Sequence, residues 1–265
     1  MIKIYNDINT MPSIGRSVVT VGAFDGIHIA HRAILEEMVR LAKEIRGKSI
    51  VITFKTLPKK ILYPDYHDKV LITAKEKKKL LQKIGIDILV NIDFTQTFAQ
   101  TDYAEFITHL TRKMDIHKFV VGFNHYFGKG KEGNSRKLKK LSLLHGFDVE
   151  IVLEKKKYGV RVSSSTIRAA ISAGDLELAS KVLGYNYKAA AHIVSFTEKD
   201  IIVKFLSMRE IVLPPEGIYE IKVQNIDTLL EIGETILIKK KNIDVIKKKF
   251  LYVHFVKQYT KKIDL

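Results

Sequence analysis

Short apolar runs and longer amphipathic stretches alternate through the first part of the chain, and this alternation constrains the fold more than any other feature. Ser17 to Gly22 reads as a buried strand, and Ile29 to Ile45 as a helix carrying Ile34, Met38, Leu41 and Ile45 on one face. The spacing then predicts a strand at Lys48 to Phe54, a helix at Ala74 to Ile84, a strand at Ile88 to Ile92 and a helix at Tyr103 to Met114. A strand at Lys118 to Gly122, a helix near Ser135 to His145 and a strand at Val149 to Leu153 follow. Strands joined through helices of this length take right-handed crossovers, and the strands then lie parallel with both faces covered. The class is α/β, a Rossmann-like, doubly wound and mostly parallel sheet.

Two short helices, Ser165 to Ala173 and Asp175 to Leu183, are separated by Gly174 as a stop and Asp175 as the next cap. Past Tyr187 the pattern changes to short strands with polar breaks: His192 to Phe196, Ile201 to Leu206, Ile218 to Val223, Thr235 to Ile238 and Phe250 to Val256. The reading is therefore two domains, 1–187 and a smaller, mostly β domain at 188–265. Pro214 and Pro215 fall in a loop, and no internal repeat is present.

Composition narrows the chemistry. With 265 residues there is ample chain for a full core, and the absence of cysteine excludes disulfides, thiolate-bound zinc, iron–sulfur clusters and a thiol nucleophile. No run approaches the ~18 uncharged apolar residues of a membrane span, so a soluble, cytoplasmic protein without a membrane partner is expected. The net charge of +16 is carried by 36 Lys and only 9 Arg. Most of it lies in residues 1–187, net +12 against +4 for the remainder, with Lys129, Lys131, Arg136, Lys137, Lys139 and Lys140 clustered around a single Glu132. A solvated lysine-rich surface and a flap that attracts polyanions both fit that cluster.

The segment most informative for chemistry is Gly22-Ala23-Phe24-Asp25-Gly26-Ile27-His28-Ile29-Ala30-His31, between the first long strand and its helix. In a doubly wound sheet ligands bind at the carboxyl ends of strands, and the free N–H groups at the following helix start attract anions. Gly22, Ala23 and Gly26 allow close backbone approach, and two histidines three residues apart can both donate to phosphate oxygens. The same two histidines also fit an incidental turn and helix start. A zinc pair is less natural because no third ligand is evident nearby, and no metal ligand is assigned.

This segment resembles the GxFDGxHxGH motif of HxGH nucleotidyltransferases, most closely the adenylyltransferase module of prokaryotic FAD synthetases. Three further stretches carry the resemblance in the same order. Thr53-Phe54 with Pro58 is similar to TFxPHP, and Val120-Val121-Gly122-Phe123-Asn124-His125-Tyr126-Phe127-Gly128-Lys129-Gly130 to VVGxDFxFGxG. Val162-Ser163-Ser164-Ser165-Thr166-Ile167-Arg168 is similar to ISSTxIR, and Gly174-Asp175-Leu176-Glu177 and Leu183-Gly184 follow as in the family. Several positions depart from it. Ala30 replaces the Gly of HxGH, Asn124 an Asp, His125 a Phe, and Leu57 the His of PHP, so any role of that last His is absent.

The resemblance implies adenylyl transfer from MgATP to FMN, giving FAD and pyrophosphate, with ATP and FMN as the small-molecule substrates. The FMN phosphate is already an anion, so neither an activated serine nor a strong base is needed, and catalysis rests on in-line positioning and charge neutralisation. By the resemblance His28 and His31 donate to ATP phosphates, Ser164 and Arg168 hold the β and γ groups, and Mg²⁺ bridges phosphates through water and substrate oxygens. Gly22, Phe24, Asp25, Gly26, Ser163 and Ser165 complete the nucleotide site, and Asn124 and Phe127 lie near the adenylyl and flavin ends. Without the resemblance, Phe127 is equally a core residue, and Ser163 to Ser165 equally a helix cap.

Other acceptors are open, since the same motifs recur among enzymes that transfer adenylyl or cytidylyl groups to other phosphates. A nucleic-acid-binding protein with a relic nucleotide pocket is a reading of a different class, but Arg is scarce and no nucleic-acid motif is present, so no specific nucleic-acid partner is expected. Bifunctional FAD synthetases join the transferase to a β-barrel riboflavin kinase with a GRxLGFPTAN motif. None of Pro12, Pro58, Pro64, Pro214 and Pro215 is followed by Thr, so no PTAN exists here. Leu213-Pro214-Pro215-Glu216-Gly217-Ile218-Tyr219 does resemble the kinase's LPPxGVY stretch. The expectation is a reduced, barrel-like relative of the kinase domain that does not phosphorylate riboflavin.

Overall fold

Ser17 to Val21 are all buried, side chains of both orientations alike, which is the burial of a strand covered on both faces. The computed structural model describes residues 1–153, 156, 157, 159–239 and 249–259. In it a six-stranded parallel sheet has the order β1-β4-β3-β2-β5-β8. Its strands are β1 (Lys3–Tyr5), β2 (Ile14–Val21), β3 (Lys48–Phe54), β4 (Ile88–Ile92), β5 (Met114–Gly122) and β8 (Asp148–Val152). The crossovers contain α1 (Ile29–Glu44), α2 (Pro58–Leu62), α3 (Ala74–Ile84), α4 (Gln96–Ala99), α5 (Tyr103–Lys113) and α6 (Ser135–His145). A two-stranded ribbon, β6 (Tyr126–Phe127) with β7 (Gly133–Asn134), interrupts the path from β5 to α6.

Chain order steps outward from β2 through β3 to β4, then crosses back over β2 to β5 and β8. The carboxyl ends of β2 and β5 therefore stand where the winding reverses, the position at which such sheets open a crevice. The sheet and its helices enclose one large apolar cluster that includes Val19, Ile50, Val90, Phe119 and Val121. On α1 the buried residues are Leu35, Met38, Val39, Leu41 and Ala42, whereas Ile34 is only partly buried. The helix presents a broader stripe to the sheet than the expected Ile34, Met38, Leu41, Ile45 row, and Ile34 is left facing a cavity.

The other strands close a six-stranded antiparallel barrel in the order β11-β12-β15-β14-β13-β16. A ribbon of β9 (Lys156–Lys157) and β10 (Val160–Arg161) comes before α7 (Ser164–Ser172) and α8 (Leu176–Leu183). The barrel strands are β11 (Lys188–Phe196), β12 (Asp200–Phe205), β13 (Gly217–Val223), β14 (Ile226–Ile232), β15 (Ile236–Lys239) and β16 (Phe250–Gln258). Tyr219, Ile221, Leu230, Val253 and Phe255 fill the interior. β14 was not expected from the pattern. It is tied to β13 by a two-residue hairpin at Gln224 and Asn225, both with positive φ of 51° and 69°, in a turn that glycine usually marks and that here carries none.

By contacts the chain divides into two units, Met1–Asp68 with Ala74–Lys155, and Lys69–Thr73 with Lys156–Leu265. The parallel sheet belongs to the first. The barrel, α7 and α8 belong to the second.

Candidate active site

Site residues in the first unit grow from the turn between β2 and α1. Phe24 and Ile27 have φ of 45° and 39°, in the left-handed region, and Gly26 has φ 85°. For Phe and a β-branched Ile this backbone is strained by about 1 to 3 kcal/mol each, so the surroundings must hold it. They do so by burial: Phe24 is 3% exposed and Ile27 fully enclosed. Gly22 lies in close approach to the turn, since a Cβ there would meet the Phe24 ring at 3.1 Å and the ring would have to shift by a few tenths of an ångström.

The strained turn delivers His28 to the N-cap of α1, where its Nδ1 accepts the backbone N–H of His31 at 3.3 Å. That bond places the ring proton on Nε2, which leaves Nε2–H as a donor. The His31 ring stacks on His28 at 3.6 Å between centroids and meets the edge of Phe24 at 5.2 Å. Burial pushes the His28 imidazole down to about 4. His31 is held well below 6.5 by burial first, then by His28 and the Lys77 ammonium. Two stacked rings out of water cannot both carry charge, so at neutral pH the helix start presents neutral imidazoles. His31 Nδ1 is buried and has no hydrogen-bond partner among the described residues.

A cavity of about 540 Å³ opens beside this turn, at the crevice between β2 and β5. Gly22, Phe24, His31, Asn124 and Phe127 border it, while Asp25, Gly26 and His28 are not among its lining residues. The opposite wall is aromatic: Phe54, Phe94, Phe98 and Phe106 form an edge-to-face chain with centroid separations of 5.1, 5.5 and 5.7 Å. Pro58, Leu62, His125 and Lys131 also reach it. Phe127 belongs to the apolar core and also lines the cavity. His125, in the place of an expected Phe, stacks on Phe127 at 5.5 Å, and burial lowers its imidazole to about 4. It is a neutral aromatic wall residue.

The lysine cluster divides. Lys131 lines the cavity and lies over the Tyr63 ring at 5.9 Å, and Lys137 lies over Tyr103 at 4.4 Å. Arg136, Lys139 and Lys140 are on the solvated face of α6. The turn that carries Lys129 and Lys131 presses closely on α5. Gly128, at φ 72°, has no room for a Cβ, which would meet Tyr103 at 2.6 Å.

In the second unit Ser163 is the N-cap of α7, its hydroxyl accepting the Thr166 N–H at 3.1 Å, and Ser164 and Ser165 are the first helical residues. Arg168 is 8% exposed, and its Nε donates to the Lys69 carbonyl at 2.7 Å, which orients the guanidinium. Spacing missed the aromatic wall, because Phe54, Phe94, Phe98 and Phe106 come from β3, a loop, α4 and α5 with no common period.

Residues 11–166, more than half of the chain, match the FAD synthetase family. The chain belongs to that family. It is thereby an FMN adenylyltransferase, and relatives along most of its length agree. The bifunctional riboflavin kinase/FMN adenylyltransferase of Escherichia coli K12 is 29% identical over 228 residues, covering 84% of this chain and 72% of its own. Its counterpart in Buchnera aphidicola from Acyrthosiphon pisum is 26% identical, covering 99% of this chain and 85% of its own. That of Bacillus subtilis is 28% identical over 79% of this chain and 68% of its own. A crystal structure described as a macrolide-efflux protein from Streptococcus pneumoniae superposes with TM-score 0.86, over 99% of this chain and 93% of that one, at 22% identity. At that identity it speaks for the fold alone. Among the described residues no helix is long and apolar enough to cross a membrane.

Proposed function

We propose that this family member binds the FMN ring in the aromatic cavity, transfers the adenylyl group of MgATP to the FMN phosphate at the β2–α1 turn, and does not phosphorylate riboflavin. The observation that carries the reading is the cavity, whose lining joins the His31 end of the turn to a wall of four phenylalanines. A planar, apolar and π-rich ring system is the ligand such a wall favours, and a phosphate attached to it belongs at a helix start. In the reaction an FMN phosphate oxygen bonds to the α-phosphorus as the bond from that phosphorus to the β-bridging oxygen breaks, and pyrophosphate leaves with the electron pair.

Each residue then has a defined task. Neutral His28 and His31 would donate N–H to phosphate oxygens as charge builds there, without holding the ground-state anion as tightly as two cations would. Gly22, Phe24, Asp25 and Gly26 would shape the backbone around the nucleotide, and Asn124 and Phe127 would border the flavin and adenylyl ends. Ser163, Ser164, Ser165 and Arg168, carried over from the second family motif, would take the β- and γ-phosphates, Arg168 with two oxygens at once. Among the described residues no group of three or more His, Asp or Glu is placed to hold a metal. The donors present fit Mg²⁺ that arrives on ATP and keeps its oxygen and water ligands.

Residues 1–187 would form the nucleotidyltransferase region, and 188–265 a barrel reduced from a riboflavin kinase. Support for the loss of kinase activity is the missing PTAN. The test is one set of incubations: protein with ATP, Mg²⁺ and FMN, oxidised and reduced, and protein with ATP, Mg²⁺ and riboflavin, with the flavins separated by chromatography. FAD in the first arms and no FMN above the enzyme-free control in the last is expected. FMN made from riboflavin would refute the kinase statement, and a folded sample that forms no FAD would refute the adenylyl acceptor.

A further inference from the structure

On α3, Lys75, Lys78 and Lys79 are exposed, and Lys77 alone among them turns inward. Its Nζ donates to the Ala23 carbonyl at 2.7 Å and to Thr53 Oγ1 at 3.3 Å, and Thr53 Oγ1 donates to the same Ala23 carbonyl at 3.1 Å. Thr53 is fully buried and Asp25 is 3% exposed. Burial lowers the Lys77 ammonium to about 8, against the Asp25 charge, which favours it. Taking an ammonium out of water is unfavourable unless its donors are used, so a helix with exposed neighbours in the same lysine run does not turn one inward for solubility. What Lys77 reaches is the residue that opens the turn in which Phe24, Gly26 and Ile27 hold positive φ.

We infer that Lys77 is a positioning residue for adenylyl transfer, pinning the Ala23 carbonyl so that the strained turn keeps His28 and His31 in register with the phosphates. The assignment rests on the reaction proposed above. Lys77 itself touches no reacting atom. Two donors from different elements, Lys77 on α3 and Thr53 on β3, grip one carbonyl, and the backbone on either side of it, from β2 to the N-cap of α1, is fixed by that grip. Loss of the ammonium lets the turn relax toward ordinary φ, and the two imidazoles lose their alignment while the sheet beneath remains intact.

The experiment compares wild type with Lys77→Met, which keeps the stem and removes the ammonium. FAD formation yields kcat and KM for ATP, and hydrogen exchange reads the amides of residues 22–28 against those of β4. The expected result is a tenfold or greater fall in kcat, KM for ATP within about threefold, and exchange faster at 22–28 with β4 unchanged. Thr53→Val loosens the same carbonyl from the other side, and a smaller fall in kcat with the same local exchange is expected; it decides the matter should Lys77→Met not fold. Unchanged kcat and exchange, or exchange rising equally in β4, overturns the inference. If wild type forms no FAD, the reaction has been misread, and the exchange data alone judge whether Lys77 pins the turn.

Discussion

Two helix starts carry the stretches that resemble the family's motifs, and they are built in opposite ways. At α7, Ser163 caps the helix with an extended backbone, φ −151° and ψ 157°, and a hydroxyl, as many helices do. At α1 the cap is a histidine, the residues before it are strained, and two desolvated rings lie face to face. Strain and desolvation of that degree give a helix nothing that a serine would not give. The site proposed above gives both a use at α1, whereas the α7 start enters that proposal mainly through Arg168, which is buried and whose Nε is held by the Lys69 carbonyl.

The largest effect that separates the two starts is expected in acid. His28 and His125 titrate near 4 in the folded protein, and His31 is also held well below 6.5, the ordinary value. Between pH 6.5 and 4 the unfolded chain therefore binds more protons than the folded one, and stability falls as pH falls through that window, by up to about 1.4 kcal/mol per pH unit for each histidine. Serines at α7 add nothing to this slope. Urea unfolding at pH 7 and pH 5 measures it, and His28→Ala should flatten it; a slope that the substitution leaves unaltered breaks the contrast.

Next come the side chains assigned to growing charge. His28→Ala, His31→Ala and Arg168→Ala should each lower turnover more than tenfold, about 1.4 kcal/mol of barrier, with an unchanged circular dichroism spectrum. Near-normal turnover in all three removes the site as drawn. Least in size, and most discriminating for α7, is Ser163. Ser163→Ala should cost about 1 kcal/mol of stability, and Ser163→Asp, an equally good cap, about none. With phosphate nearby, Ser163→Asp should nevertheless raise KM for ATP by about threefold or more through like-charge repulsion. An unmoved KM would leave Ser163 a cap only.

How far the sequence could be read depended on the range of the interaction. The bounds of β3, β4, α3 and α6 follow from local period and caps, and the structure gives Lys48–Phe54, Ile88–Ile92, Ala74–Ile84 and Ser135–His145. β1 has three residues, too few to show a period, and is held by pairing with β4 and by Tyr5 packing against the core. β14 was hidden because its hairpin turns at Gln224 and Asn225 rather than at glycine. Ile34 kept its helical period but faces the cavity instead of the core. Lys77 is one of three consecutive lysines, and nothing in the run singles it out.

The sequence alone determined the alternation that makes a parallel sheet, the absence of thiol chemistry, and the order of motifs that assigns the family, because each is a property of neighbouring residues. Tertiary structure decided which lysine is buried, that the histidines are neutral, and that phenylalanines from three elements and a loop share one wall. Charge state and cavity shape depend on distances between segments far apart in the chain, through desolvation and Coulomb interaction, and no local period encodes those distances.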